Sequence, residues 1–218
     1  MTPFGEILKA AGGVEAMADR LPRAKSAADL YAIPDDRYLS LMSLRVFRTG
    51  IKHSVVDAKW PAFEEVFLGF DPGRVRAMND EQLEALMADT RIIRHGGKIR
   101  ATRDNAAAMC TLADEAGGMG AYIADWPADD IVGLWTDIAK RFKQMGGRSA
   151  PYFLRMAGRD TFILTSDVVL ALNRWGAIDG EPKGKHGLRS AQEAFNAWEN
   201  ESGRPLSEIS MILALSRG

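Results

Sequence analysis

The feature that most constrains this fold is a helical periodicity that runs along nearly the whole chain. Apolar residues recur every three or four positions, for example from Phe4 to Ala11 and from Leu39 to Ile51, and this spacing gives a helix one buried stripe. No alternating apolar and polar run is long enough to indicate a sheet. We therefore predict an all-α fold of ten to twelve helices. No low-complexity linker interrupts the pattern, so we expect residues 1–218 to form a single compact unit with two lobes.

Several helix starts can be located from their capping signals. Ser26 is followed three residues later by Asp29, which is the spacing of a capping box. A residue that can cap a helix directly precedes a favourable first helical residue at two other places, Asp71-Pro72 and Asn79-Asp80. Pro61 indicates a further helix start. The C-terminal segment is predicted to form two helices, whose inward side chains are Phe195, Trp198, Ile209, Ile212 and Leu213.

Charge and cysteine content exclude several classes of protein. The 28 lysines and arginines almost balance 29 aspartates and glutamates, so any surface that binds nucleic acid must be local. The single cysteine, Cys110, cannot form an internal disulfide, and a lone cysteine with three scattered histidines predicts no metal site and no zinc. No 18 consecutive residues are apolar, and the first residues lack a signal-peptide run. We expect a cytoplasmic protein with no membrane association.

Two glycine pairs stand before segments that begin with a basic residue. They occur in RIIRHGGKIR, at Gly96-Gly97, and in FKQMGGRSAP, at Gly146-Gly147. If each pair opens a helix, its free backbone N–H groups and the helix dipole favour an anion such as phosphate. The alternative is that each pair only permits a positive φ at the end of the preceding helix.

The second glycine pair resembles a known arrangement. A helix, a loop and then Asp167 follow it, about twenty residues after Gly147, which is the order found in helix-hairpin-helix DNA glycosylases. Upstream, FDPGRVRAM and IIRHGGKI resemble the bacterial 3-methyladenine DNA glycosylase I family over roughly Leu39–Ala108. The resemblance implies a two-lobed, glycosylase-like fold with a hairpin lobe at approximately 130–180. The hairpin itself keeps only the last glycine of the superfamily's Leu-Pro-Gly-x-Gly pattern.

The resemblance also implies an activity. An N-glycosylase, which is a hydrolase of base excision repair, flips an alkylated purine of the 3-methyladenine type out of double-stranded DNA and hydrolyses its N-glycosidic bond. Asp167 is then the catalytic carboxylate that stabilises the positively charged sugar. Matching the Ile-Leu pair that precedes the family's acid would instead place Thr165 at this position, but threonine carries no charge. The structural alternative for Asp167 is an ordinary helix N-cap. The implied enzyme is a monomer without a cofactor, although hairpins of this superfamily commonly bind a monovalent cation through backbone carbonyls, here those of Gln144 and Gly147.

Four residues are candidates for the base pocket. The family's LEGQQAGLSW block reads LRVFRTGIKH here, so Arg45 replaces its glutamate and His53 its tryptophan. Phe47, His53 and Trp60 offer rings that can stack on a base. The structural alternatives are that Phe47 is core, that Trp60 anchors a helix start, and that His53 is solvated. Arg45 would repel a cationic base but can donate hydrogen bonds to a neutral one.

The expected DNA contacts lie at the two glycine pairs. Contacts to phosphate fix the register of a protein on DNA without reading its sequence, which suits an enzyme that searches for damage. The predicted contacts are Arg94, Lys98, Met145, Gly146, Gly147, Arg148 and Ser149. Ordinary solvated charges on helices are the alternative for each basic residue. Two other hypotheses remain open at this point: a catalytically silent DNA-binding relative with the same hairpin, and a helical protein of unrelated role.

Overall fold

The fold is all-α in a computed structural model that describes residues 1–13 and 15–216. This part of the chain contains no strand and thirteen α-helices, one more than the predicted range, because several are only five to seven residues long. They are α1 (Phe4–Ala10), α2 (Ala27–Tyr31), α3 (Asp35–Arg48), α4 (His53–Val66), α5 (Pro72–Arg76), α6 (Asp80–Ala88), α7 (Gly96–Ala116), α8 (Met119–Asp125), α9 (Ile131–Arg141), α10 (Ser149–Ala157), α11 (Ser166–Arg174), α12 (Gly184–Ser202) and α13 (Leu206–Leu215). Three 3₁₀ turns, at Glu15–Arg20, Leu68–Phe70 and Ala128–Asp130, join them.

The helices divide into two compact units. The terminal unit comprises Met1–Lys25, Pro127–Leu134 and Gly158–Gly218, and the central unit comprises Ser26–Trp126 and Trp135–Ala157. The segment 130–180, predicted as one hairpin lobe, is therefore shared between both units. Among the described residues, no helix has the length and apolar character needed to cross a membrane.

The predicted helix caps are largely confirmed. Ser26 and Asp29 form the two reciprocal bonds of a capping box, and Asn79 forms a second one with Gln82. Asp71 caps α5, with Pro72 as its first residue. The prediction at Pro61 is wrong, because α4 begins at His53 and continues through the proline.

Aromatic side chains form much of the core of the central unit. Phe47 from α3 packs 4.5 Å, centroid to centroid, from Phe63 of α4, and Phe63 stacks on Phe67. The long helix α7 packs on α3, α5, α6 and α8. Because α7 contacts so many neighbours, the position of its N-terminus is fixed within this unit.

The terminal unit is built from α1 and α11 to α13. Phe162 and Phe195 stack with their centroids 4.0 Å apart, and Trp198 contacts Phe195 edge-on. The Asp160 carboxylate accepts hydrogen bonds from the first two amides of α13, which satisfies donors that a helix N-terminus leaves free. The inward-facing residues predicted for the last two helices are all buried.

A substitution at Gly120 tests the packing of α2 against α8. A Cβ atom added there would lie 2.6 Å from the Leu30 carbonyl oxygen, so we expect Gly120→Ala to lower the free energy of unfolding by about 1–3 kcal/mol. The matched control is Gly5→Ala, because a Cβ at Gly5 meets no atom within 4 Å. Urea unfolding should show the loss for Gly120→Ala alone, and equal stability of the two variants would contradict the packing described.

Candidate functional site

The first glycine pair opens α7. His95 is the N-cap, and its Nδ1 accepts a hydrogen bond from the Lys98 amide at 3.3 Å. Gly96 and Gly97 form the first turn and do not have a positive φ, so the alternative of a helix-ending glycine pair is wrong at this position. Arg94 and His95 are exposed beside the free amides of a 21-residue helix.

The second glycine pair lies in the turn between α9 and α10. Gln144 and Gly147 have φ values of 60° and 59°, a left-handed conformation that glycine adopts readily and glutamine seldom. The Ser149 amide donates to the Gly146 carbonyl and the Ala150 amide donates to that of Met145. The chain therefore forms a tight hairpin that leads directly into α10.

The structure brings the two glycine pairs together. Asn105 of α7 clamps the hairpin, because its Oδ1 accepts from the Lys143 amide at 2.6 Å and its Nδ2 donates to the Lys143 carbonyl at 3.2 Å. The Gln144 side chain also donates to the carbonyl of Gly97 at 3.0 Å. We refer to residues 94–98 and 143–149 as the hinge junction.

The hinge junction has an exposed rim and a buried base. Its exposed members are Arg94, His95, Gly97, Lys143, Gln144, Gly146, Gly147 and Arg148. Met145 is fully buried, and Lys98 and Ser149 are each only 6% exposed. The side chains of Lys98, Met145 and Ser149 are therefore not on the exposed rim, and DNA contacts of these three residues stay predictions.

Lys98 has a structural partner. Its ammonium donates to the carbonyl oxygens of Phe47 and Thr49, at 3.2 and 2.6 Å, where α3 ends and leaves carbonyl groups without helical donors. Burial lowers the pKa of Lys98, and the positive charge of Arg45 lowers it further. Lys98 therefore ties the start of α7 to the end of α3.

The three ring-bearing candidates for the base pocket lie in different surroundings, with Phe47 buried in the core, Trp60 partly buried and His53 exposed. Phe47 is fully buried, so its ring is closed to an extruded base. Trp60 stacks on Phe63 and Phe70 and donates to the Ser40 hydroxyl at 3.2 Å. His53 is exposed at the first position of α4 and stays a prediction.

Arg45 lies against Tyr152, which is not among the predicted site residues. Its guanidinium carbon is 4.7 Å from the centroid of the Tyr152 ring on α10. Burial lowers the pKa of Arg45, the charges of Arg148 and Arg48 lower it further, and Tyr152 raises it. The signal in the sequence is a tyrosine, with its polar hydroxyl, five residues after the hairpin glycine.

Asp167 lies in the first turn of α11, in the terminal unit. The N-cap is Thr165, whose hydroxyl accepts from the Val168 amide at 3.2 Å. The N-cap therefore lies two residues before Asp167, and Asp167 is not the cap. Its catalytic role stays a prediction.

Comparison with known proteins decides the family. The family model for methyladenine glycosylase matches residues 31–145, just over half of the chain. The chain belongs to the methyladenine glycosylase family. The match includes Arg45, the first glycine pair and Asn105, and it ends within the hairpin.

Individual members of the methyladenine glycosylase family are similar to this chain over only part of its length. DNA-3-methyladenine glycosylase 1 of Escherichia coli (strain K12) is 36% identical over 76 residues, which is 35% of this chain and only 41% of that protein. A mutant of 3-methyladenine DNA glycosylase I from Staphylococcus aureus superposes with a TM-score of 0.54 at 20% identity, over 66% of this chain and 84% of that chain. A variant of 3-methyladenine DNA glycosylase I in complex with 3-methyladenine gives the same TM-score, also at 20% identity, over 65% and 83%.

The Asn105 clamp should control the order of the hairpin. Asn105→Ala removes both hydrogen bonds between the buried Asn105 side chain and the Lys143 backbone, and we expect a loss of about 1–3 kcal/mol in unfolding free energy. In the same variant, hydrogen exchange at the Lys143 amide should be faster than in the wild type. Asn173→Ala is the matched control, because Asn173 clamps Gly180 through the same pair of bonds. That control should expose Gly180 and leave Lys143 protected, and unchanged exchange at Lys143 in Asn105→Ala would contradict the clamp.

Proposed function

We propose that this protein is a DNA repair N-glycosylase that flips alkylated purines of the 3-methyladenine type out of double-stranded DNA and hydrolyses their N-glycosidic bonds. Family membership over residues 31–145 is the observation that carries the proposal. The names of the relatives, and a related structure in complex with 3-methyladenine, support this class of substrate.

The exposed rim of the hinge junction suits the DNA backbone. Arg94 and Arg148 supply positive charge, and Gly146 and Gly147 add no side chain that would keep a phosphate away from the backbone amides. Contacts of this kind are independent of sequence. Because the net charge of the chain is −1, attraction to DNA depends on this local group of cations.

The chemistry needs a stabilised sugar and a water molecule. A purine alkylated on a ring nitrogen is cationic and leaves as a neutral base, while the oxygen of water bonds to C1′ and releases a proton. The cost of flipping such a base is a few kcal/mol and falls where damage weakens its stacking. Asp167, if ionised beside the sugar, stabilises the positive charge that develops there.

A monovalent cation fits the hairpin carbonyls. In a regular helix the Gly147 carbonyl oxygen would accept a hydrogen bond from the amide of residue 151, but residue 151 is a proline and has no N–H. The carbonyls of Gln144 and Gly147 would hold the ion, which would fix the turn without entering the reaction. No group of three or more His, Cys, Asp or Glu side chains in the described part suits a metal. We place the enzyme in the cytoplasm and expect it to act as a monomer.

Release of free 3-methyladenine from alkylated duplex DNA tests the activity. A glycosylase liberates the base in single-turnover assays, whereas a catalytically silent DNA-binding relative gives salt-sensitive binding without release. Arginine at a position where the family has glutamate favours that second candidate. A protein with neither property would overturn both functions.

A substitution at Gly147 should weaken binding to damaged and undamaged DNA alike. Gly147→Val places a branched side chain at a φ of 59°, so it distorts the hairpin, and we expect about tenfold or greater loss of affinity for undamaged and damaged duplex alike. Gly176→Val is a control matched in strain, because Gly176 has a φ of 67° and equally open surroundings. Equal affinity of the Gly147 variant and the wild type in fluorescence anisotropy would remove the hairpin from the DNA interface.

The charge of Asp167 should affect the rate of base release and not the affinity for DNA. Asp167→Asn keeps the shape and removes the charge, so we expect base release to slow by about 10²-fold or more with DNA binding nearly unchanged. Thr165→Val is the control, because it removes the actual N-cap and should lower stability by about 1 kcal/mol while release persists. If Asp167→Asn instead releases the base at the wild-type rate, Asp167 is not catalytic and the DNA-binding half of the proposal survives.

A further inference from the structure

A cleft of about 360 Å³ opens where α7 ends and α8 begins. Its walls come from the end of α2, the start of α3 and the junction of α7 with α8, and all of these segments belong to the central unit. Among the described residues that line it, Asp35 is the only one that is charged at neutral pH. We refer to this space as the α7 cleft.

The Asp35 carboxylate is fixed in the α7 cleft and keeps one oxygen free. Its Oδ1 accepts a hydrogen bond from the Met119 amide at 2.8 Å, and its Oδ2 has no hydrogen bond or ion pair to any described residue. A Cβ atom added at Gly118 would lie 3.3 and 3.4 Å from the two carboxylate oxygens, so the glycine leaves room for the group. Because Asp35 is the first residue of α3, the helix dipole favours its ionised form.

The end of α7 adds further acceptors. Gly117 ends this helix in a left-handed conformation, and its amide donates to the Ala113 carbonyl. The last carbonyl groups of the helix, from Asp114 to Ala116, are left without helical donors. The dipole of this 21-residue helix also places partial negative charge at the same end. Since no lysine or arginine lines the described walls of the α7 cleft, the carboxylate, the carbonyl groups and the dipole all favour a cation.

Tyr31 offers an aromatic surface to that cation. It is 49% exposed, and its hydroxyl donates to the Asp125 carboxylate at the end of α8, which restricts the ring. A cation over the face of a tyrosine ring is attracted by the ring quadrupole. A planar guanidinium stacks on such a ring and donates hydrogen bonds to several separate acceptors, whereas an ammonium is compact and strongly hydrated. The α7 cleft therefore suits arginine better than lysine.

The surroundings of the α7 cleft favour an arginine that belongs to another protein. Asp114 and Asp125 are exposed beside the lining residues, and neither is paired with a described cation, so negative charge extends beyond the cleft itself. A free cation would lose its translational freedom for one ion pair and one ring contact. A side chain carried by a basic protein surface gains these contacts together with those of the surrounding interface.

We propose that the α7 cleft receives an arginine side chain of a partner protein. Its guanidinium lies against Tyr31 and donates to the Oδ2 atom of Asp35 and to the last carbonyl groups of α7. The 21 residues of α7 separate this site from the hinge junction by about 30 Å, so a partner bound here leaves the exposed rim open. The inference goes beyond the proposed function and does not depend on it.

Titration with capped tripeptides tests the α7 cleft. The probes are acetyl-Gly-Arg-Gly-amide and the same peptide with citrulline, which keeps the shape of arginine and lacks its charge. We expect the full-length protein to bind the arginine probe at least about tenfold more tightly, with saturable amide NMR shifts at Gly117, Gly118 and Met119. Equal affinity for the two probes, or shifts confined to other surfaces, would overturn the inference.

The charge of Asp35 can be removed without removing its hydrogen bond. Asp35→Asn keeps an acceptor for the Met119 amide and should weaken binding of the arginine probe by about tenfold. The matched control is Asp71→Asn, because Asp71 also accepts from a helical amide, that of Arg74 at 2.9 Å, and lies outside the α7 cleft. The control should bind like the wild type, and an equal loss in both variants would contradict a specific site.

A second pair of variants tests the α7 cleft should Asp35→Asn fail to fold. Ala113→Lys introduces a competing cation at the wall of the cleft, whereas Ala107→Lys adds the same charge at an exposed position of the same helix. We expect only Ala113→Lys to abolish binding of the arginine probe. Equal binding by the two lysine variants would overturn the inference.

Two further measurements identify the occupant. Free L-arginine carries a carboxylate that the negative surroundings repel, so it should bind more weakly than the capped tripeptide. If it binds at least as tightly, the α7 cleft holds a small molecule and the assignment to a partner protein is wrong. Asp35→Asn should bind undamaged duplex like the wild type, and a change in duplex affinity would place the cleft in the DNA interface and overturn the separate site.

Discussion

The first turns of α7 are the constraint on which the candidate site depends. Lys98 buries a charge there, and a buried ammonium is tolerated only when its donors are satisfied. The carbonyls at the end of α3 supply those acceptors, so separating α3 from α7 breaks both hydrogen bonds. Further along the same helix, Asn105 fixes the hairpin by both polar groups of the Lys143 backbone. Helix α7 thus sets the positions of α3 and of the hairpin at once.

This arrangement divides the residues of the hinge junction between support and contact. Lys98, Met145 and Ser149 are buried, whereas Arg94 and Arg148 face solvent, where a ligand can reach them. Arg45 occupies a third environment, half-buried on Tyr152 and surrounded by positive charge. In the proposed function, the rim of the junction binds the DNA backbone.

Local signals in the sequence predict much of the fold. The caps at Ser26, Asp71 and Asn79 depend on neighbouring residues alone, and the structure confirms them. Pro61 does not follow its local signal, because packing of α4 keeps a proline inside a helix, which no local rule forecasts. The chain segments that make up each compact unit cannot be predicted in this way, because each unit is assembled from segments distant in the chain.

The candidate site is harder to predict than the helices. Both glycine pairs can be located in the sequence, but their contact through Gln144 and Gly97 joins residues 47 positions apart. Lys98 resembles a surface charge because its sequence neighbours are basic, whereas burial of its stem and capping of α3 depend on tertiary packing. Amide chemical-shift mapping with an undamaged duplex tests the role of the hinge junction most directly. We expect perturbations to concentrate at residues 94–97 and 143–148; perturbations confined to other surfaces, with the hinge junction unaffected, would contradict that role.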